Sequence, residues 1–324
     1  MPKVSVLLPI YNVEPYIADC LSSLVAQTTA DFEIIAVDDA SPDRSGSIVQ
    51  TILGAQRQIP WRLIRNDNNK GLAETRRIAA EASSGDYVLC VDSDDRVHPD
   101  LVQTVIREAD LTSADVVVFA ATCMEASGKV KYLVNSGDGI ITGLQAVEKI
   151  LDLSLDAYCW NKLVRRSIFD AVNHPCGLIY EDICVSIQTL SRSKVVRLIP
   201  DQLYFYIVRE TGISTSFNPK ITDLFAIMDL VERDTASLPI QDYAKLLFRL
   251  RYIYGFRTIA FQAAERAPDF SHARPILLSV ANRLRLSHIR RMYLDNRPRL
   301  SVAMLLLKVH PWLFYNFARA FGRN

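Results

Sequence analysis

The sequence predicts an α/β fold: a central, mostly parallel sheet built from βαβ units, followed by a helical, basic C-terminal region. Three observations carry this. Short apolar runs alternate with helix-length amphipathic segments through the first 120 residues. The runs are continuously apolar rather than alternating, as strands covered on both faces are. From about Ile221 onward the pattern is helical and rich in Leu, Arg and aromatic residues.

The elements come in order. Val4–Leu8 is an apolar strand ended by Pro9, and Tyr16–Val25 carries Ile17, Leu21, Leu24 and Val25 at helical spacing. Phe32–Val37 is a second strand, ended by Asp38 and Asp39, and a helix start comes next at Ser41-Pro42-Asp43. Trp61–Ile64 is a third strand. Residues 72–83 form a helix closed by Ser84-Gly85, Tyr87–Val91 is a fourth strand ended by Asp92, and Val116–Phe119 is a fifth. Residues 130–220 are mixed, with a helix near 142–152, a helix from Asp182 and a strand near Val195–Leu198. The change to helical pattern puts a boundary near residue 220.

Composition sets the outer limits. With 324 residues the chain is large enough for one large or two modest domains, and 49% apolar with 23% charged residues excludes wholesale disorder. Twelve glycines and fourteen prolines exclude a collagen-like or low-complexity chain. The six cysteines (Cys20, Cys90, Cys123, Cys159, Cys176, Cys184) form no CxxC pair and no metal spacing, which fits a reducing cytoplasm. The N-terminus runs directly into a strand without a signal-peptide pattern, and the nearest approach to a membrane span, Leu300–Phe321, is interrupted by Lys308, His310 and Pro311. The net charge of +1 hides an asymmetry: residues 274–324 hold ten Lys/Arg against one acid, and the first 273 residues hold 27 against 35. A basic tail on an acidic body points to an anionic partner. Interleaved Trp, Phe and Leu favour a membrane surface, with a helical subdomain packed on the rest as the alternative; no nucleic-acid module is present.

Polar residues collect where strands end: Tyr11-Asn12, Asp38-Asp39 and Asp92-Ser93-Asp94-Asp95. In an open parallel sheet the ligand crevice lies outside those ends. Clustered carboxylates repel unless a cation or a proton intervenes, and hard divalent cations such as Mg²⁺ and Mn²⁺ take oxygen ligands while leaving positions for substrate phosphates. Asp94 is the candidate ligand. The plain alternatives are a capped acidic turn at 92–95 and an N-cap at Asp38-Asp39. The absence of G-x-G-x-x-G after the first strand weighs against a dinucleotide site.

Pro9-Ile10-Tyr11-Asn12, Asp38-Asp39, Gly71-Leu72-Ala73-Glu74-Thr75-Arg76 and Asp92-Ser93-Asp94 stand in that order. Together they resemble the start of a family 2 glycosyltransferase. Weaker likeness continues through the Trp160-Asn161-Lys162, Tyr180-Glu181-Asp182 and Arg209-to-Ser214 segments. The resemblance implies a half-Rossmann-like, nucleotide-sugar-binding domain of GT-A type over 1–220, with a donor half about 1–120 and an acceptor half about 121–220, ahead of the helical 221–324. It implies that Pro9, Tyr11 and Glu14 surround base and ribose, with Tyr11 stacking. Asp39 accepts from the base, with Asp38 supporting that turn. Arg76 lies near the nucleotide. Asp92, Ser93 and Asp94 form the metal–diphosphate site, with Asp94 as metal ligand to Mn²⁺ or Mg²⁺. Asp182 is the general base beside Glu181. Arg209 and Ser214 hold the diphosphate. Ile207 and Gly212 depart from the family's usual Arg and Ser.

The activity implied by this resemblance is that of an inverting hexosyl or N-acetylhexosaminyl transferase of EC 2.4 class. It would move one sugar from a nucleotide-diphosphate sugar, with UDP expected, to a hydroxyl of a glycan or glycolipid acceptor in cell-surface polysaccharide synthesis. Its expected place is the cytoplasm, peripheral on the inner membrane face. Transfer to polyprenyl phosphate and a non-catalytic nucleotide-sugar-binding scaffold are the alternatives. Single residues keep plainer readings too: Tyr11 and Trp160 as core aromatics, Arg76 as a structural partner of Asp38, Glu181 as a helix cap, and Lys162 as a solvated lysine.

Overall fold

The computed structural model describes residues 2–209, 212 and 216–321, and the chain divides into two compact units. The first comprises 1–149, 155–177 and 181–208; the second comprises 150–154, 178–180 and 209–324.

The first unit keeps the predicted alternation. In chain order it runs β1 (Val4–Ile10), α1 (Ile17–Val25), β2 (Phe32–Asp38), α2 (Ser45–Ala55), β3 (Trp61–Arg65), α3 (Leu72–Glu81) and β4 (Tyr87–Cys90). Next come β5 (Arg96–Val97), α4 (Leu101–Thr112), β6 (Val116–Glu125), β7 (Val130–Val134), β8 (Gly139–Ile141) and α5 (Gly143–Leu151). The last elements are β9 (Lys162–Arg165), α6 (Arg166–Phe169), α7 (Glu181–Arg192) and β10 (Val196–Val208). The sheet order is β3-β2-β1-β4-β9-β6-β10-β5, with β7 on β6 and β8 on β10.

Strands β3, β2, β1 and β4 are parallel throughout, so their C-terminal ends share one edge. Every residue of β1, β2 and β4 is buried, which is why these runs lack alternation. Helix α1 buries Ile17, Cys20, Leu21 and Leu24, at i, i+3, i+4 and i+7, against that core.

The second half of the sheet departs from the sequence expectation. The four-residue β9 enters antiparallel between β4 and β6, in a stretch too short to show a periodicity. Strand β6 continues past Phe119 to Glu125, and the strand expected at Val195–Leu198 extends to Val208. Pro200 obscures that continuity: the β6–β10 pairing shifts register between Ile199 and Gln202 and then resumes.

The second unit, among the described residues, is helical. After a 3₁₀ turn at Pro219–Thr222 come α8 (Asp223–Thr235), α9 (Tyr243–Phe248), a π-helical stretch at Arg249–Phe256 and α10 (Arg257–Arg266). Helices α11 (Phe270–Arg283), α12 (Leu286–Leu294), α13 (Pro298–Val309) and α14 (Pro311–Phe321) complete it. No helix among the described residues is long and apolar enough to cross a membrane.

Close approach of the backbone requires the glycine at 143. A Cβ on Gly143, at the start of α5, would lie 2.0 Å from the Leu190 carbonyl oxygen and 2.3 Å from that of Ser193. Both are backbone atoms that cannot rotate away. Gly143→Ala is therefore expected to lower unfolding free energy by about 2–3 kcal/mol, read as a lower urea midpoint at unchanged slope.

Candidate functional site

The turn after β1 brings Tyr11, half exposed, to the strand-end edge, with Asn12 in the left-handed region at φ 54°. The loop before α2 holds this turn. Asn12 N–H donates to Ser41 Oγ (3.3 Å), Val13 N–H to Ser45 Oγ (3.0 Å) and Glu14 N–H to Asp43 Oδ2 (2.9 Å). The Glu14 carboxylate in turn accepts the Arg44 backbone N–H and two guanidinium N–H groups at 2.6–2.8 Å. Pro9 is buried within β1.

At the end of β2 the two aspartates act as internal acceptors. Asp38 takes the Ser41 N–H at 2.8 Å and lies 3.5 Å from Arg65. Asp39 is buried and takes three donors: Asn66 Nδ2 (2.7 Å), Lys70 N–H (2.8 Å) and Gly71 N–H (2.8 Å). Those bonds pin the loop that leads through Gly71, at φ 86°, into α3. Arg76 lies one turn further on.

Arg76 is the centre of the site. Its residue is 2% exposed, and its guanidinium reaches three carboxylates: Nη2 to Asp92 Oδ1 at 2.9 Å, Nη1 to Glu181 Oε1 at 3.0 Å, and Nη1 to Asp182 Oδ1 at 2.5 Å. The plainer reading of Arg76 as the partner of Asp38 is thereby corrected. Arg76 joins the end of β4 to the start of α7, where Glu181 and Asp182 open the helix. Asp182 Oδ2 also accepts the Cys159 N–H at 3.2 Å, and its side chain keeps 21% exposure.

These contacts separate the two adjacent carboxyls. Burial raises the Asp182 carboxyl, but the Arg76 charge and the hydrogen bonds from Cys159 and Arg76 outweigh it and hold the group below the usual carboxylate range. Glu181, more deeply buried and beside the Asp182 charge, is pushed up. One carboxyl is kept ionised and its neighbour is biased toward the protonated form, a division that assigns different chemical roles to a pair.

The turn after β4 splits likewise. Asp95 is buried; its carboxylate accepts the Ile207 N–H (2.8 Å) and the Tyr204 O–H (3.0 Å), while Asp92 N–H donates to Tyr204 Oη (3.0 Å). Asp95 thus fastens the turn to β10. Ser93 is buried and Asp94 is partly exposed. Among the described residues no group of three or more His, Cys, Asp or Glu is arranged to hold a metal ion. Asp94 and Asp92, on one turn, are the one or two carboxylates through which Mg²⁺ is usually bound when substrate phosphates complete its shell. The donor set fits that mode and does not fit an all-protein cage.

Arg209 opens the longest segment of the second unit, and Ser214 lies outside the described residues. Two further expectations are decided. Trp160 is 3% exposed and stacks on Tyr204 (4.6 Å), Tyr158 (4.7 Å) and Tyr206 (5.9 Å), so it is a core aromatic. Lys162 is not solvated. It is buried, with Nζ donating to the Asp156 and Tyr158 carbonyls and to Asn161 Oδ1, and burial pushes its ammonium down to about 8. Tyr204 and the Cys159 N–H, which bond to the acidic turn and to Asp182, are contacts that sequence reasoning misses, and Asp95 appears there only as the end of the acidic run. The aromatic run Tyr204-Phe205-Tyr206 is the available signal for the first.

A sequence profile described as Glycosyl transferase family 2 matches residues 5–172. An uncharacterized glycosyltransferase of Bacillus subtilis, EpsJ, is 30% identical over 218 residues, 64% of this chain; the match spans 61% of that relative's length. Among solved structures, Staphylococcus aureus TarS in complex with UDP-GlcNAc superposes with a TM-score of 0.72 at 18% identity, covering 99% of this chain and 91% of that one. A mannosyltransferase of Pyrobaculum calidifontis in complex with GDP-Man and Mn²⁺ gives 0.57 at 13% identity, covering 100% and 88%. At these identities the structural likeness shows the fold: a GT-A-type sheet.

Removing the donor at Lys162 strands its acceptors. Lys162→Met is expected to cost about 1–3 kcal/mol for a buried acceptor left unsatisfied, measured by urea unfolding of the whole chain.

Proposed function

The chain belongs to glycosyl transferase family 2, and from that premise we propose that it is an inverting transferase. It moves one hexosyl or N-acetylhexosaminyl unit from a UDP-sugar to a hydroxyl of a glycan or glycolipid acceptor, in the synthesis of a cell-surface polysaccharide. The observation that carries this is the Arg76 bridge. It sets Asp182, an ionised and partly exposed carboxylate, beside the acidic turn at the end of β4. The UDP-GlcNAc complex of TarS supports the choice of nucleotide. Unbridged cysteines, five of the six buried, support a reducing compartment.

In this reading Asp182 is the general base. The acceptor oxygen attacks the anomeric carbon while its proton passes to the Asp182 carboxylate; the bond from that carbon to the diphosphate oxygen breaks on the opposite face. Tyr11 offers its ring to the base, with Pro9, Glu14, Asp38 and Asp39 shaping the surrounding turns. Arg209 and Ser214 are proposed diphosphate contacts. Asp94, with Asp92 and Ser93 on the same turn, would hold Mn²⁺ or Mg²⁺, which when bound supplies Lewis-acid stabilisation to the leaving diphosphate. Arg76 is a positioning residue: it keeps Asp182 ionised and fixes Asp92, while Glu181 shares its guanidinium.

Two experiments test the assignment. Asp182→Asn should retain UDP binding by calorimetry in the presence of Mn²⁺ and lose transfer by about 10²–10⁴-fold; near-normal transfer would remove the base from this position. The second reads kcat/KM against pH. Because the folded value of Asp182 is lowered, the base stays ionised through neutrality and activity falls only on the acid side, below the ordinary carboxylate range. Arg76→Gln should carry that acid limb to higher pH, and Arg76→Lys, which keeps the cation, should largely restore it.

A further inference from the structure

The second unit contains a groove of about 1270 Å³, walled by the π-helical stretch and α10 on one side and by the α12–α13 connection, α13 and the end of α14 on the other. Three arginines line it, Arg257, Arg297 and Arg299, and no carboxylate does. The rest of the wall is largely apolar, with Tyr254, Phe261 and Phe317 as its aromatic part.

The groove brings together three arginines without a carboxylate among its lining residues. On the π-helical stretch, by contrast, Arg249 pairs with Asp152 and Asp295, and Arg251 with Asp229 and Glu232. Among the described residues Arg257, Arg297 and Arg299 form no ion pair, and the Arg257 guanidinium instead lies over the Phe261 ring at 5.5 Å. Three exposed arginines and no carboxylate give the groove a positive lining, which suits an anion.

The surroundings say what kind of anion. On α13 the exposed side chains Val302, Leu305 and Val309 fall at i, i+3 and i+7, one apolar stripe turned to water, while Ala303, Met304 and Leu307 fill the opposite side. On α14, Leu313, Phe317 and Phe321 repeat at intervals of four, and Phe321 is 68% exposed. A soluble phosphate or a nucleic acid gives such stripes nothing to bury against. A lipid does: its phosphate meets the arginines and its chains meet the stripes.

We propose that this groove seats the phosphate headgroup of an anionic phospholipid in a bilayer, with the stripes of α13 and α14 entering the interface. The inference concerns the second unit and stands apart from the sugar-transfer reading. Either can fail alone.

The test is co-sedimentation of the full chain with vesicles of phosphatidylcholine alone and of phosphatidylcholine mixed with phosphatidylglycerol. Binding is expected only to the anionic vesicles and should weaken as salt is raised. The combined variant Arg257→Gln/Arg297→Gln/Arg299→Gln should bind about 100-fold more weakly, from the contribution of each basic residue near an anionic surface, with an unchanged circular dichroism spectrum and urea midpoint showing that the fold is intact. Should that variant fail to fold, Arg299→Gln alone and Leu313→Ser alone should each weaken vesicle binding measurably. Equal binding to both vesicle types, undiminished binding by the variants, competition by free glycerol 3-phosphate at millimolar concentration, or preferential binding of a duplex oligonucleotide would each overturn the proposal.

Discussion

A single buried guanidinium carries the electrostatics of the first unit's acidic edge. Arg76 is shared by Asp92, Glu181 and Asp182, so three potential negative charges surround one positive charge inside protein. That excess is costly unless a proton or another cation reduces it. Burial, and after it the Asp182 charge, pushes Glu181 up, while at Asp182 burial is outweighed by the Arg76 charge and the hydrogen bonds that hold it down, so a proton is favoured at one neighbour and disfavoured at the other. Arginine suits the position because its planar fork addresses several oxygens at once and keeps its charge when buried. Its placement depends in turn on Asp39, whose three hydrogen bonds fix the loop from which α3 starts.

The legible part of this arrangement is the local part. Asp38-Asp39 and Asp92-Ser93-Asp94 come directly after continuous apolar runs, and a strand that ends in carboxylates announces itself within about ten residues. The partners of Arg76 on α7 lie 105 and 106 residues away, beyond the reach of any periodicity. Lys162 misleads for a different reason. Lysine is almost never fully buried, and two of the acceptors that make burial tolerable here are backbone carbonyls, whose direction no side-chain pattern reveals. Trp160 is ambiguous between core and surface in the sequence because the rings that settle it come from Tyr158 and, well down the chain, Tyr204 and Tyr206. Strand β10 reads short because Pro200 interrupts the pattern while the pairing with β6 resumes beyond it.

The C-terminal region is legible chiefly as composition. Its excess of basic residues is plain, but composition treats all arginines alike. The folded unit sorts them. Those on the π-helical stretch, Arg249 and Arg251, are consumed by Asp152, Asp229, Glu232 and Asp295, which include acids placed well outside the basic tail. The eight-residue π-helix is itself a departure that helix propensity does not foresee, and such stretches tend to mark functional positions.

The aromatic stack around Trp160 has an optical consequence. Its indole rests on the Tyr204 ring, and the Tyr204 hydroxyl is bonded to Asp95 and to the Asp92 N–H at the acidic turn. A change in that turn therefore reaches the indole through one intervening ring. The chain has three tryptophans, and Trp312, in the second unit, faces solvent. A shielded indole emits at shorter wavelength than a hydrated one, so the blue flank of the intrinsic fluorescence spectrum reports chiefly on Trp160 and the red flank on Trp312 together with the partly exposed Trp61 of β3. The protein carries its own two-colour probe, with no label required.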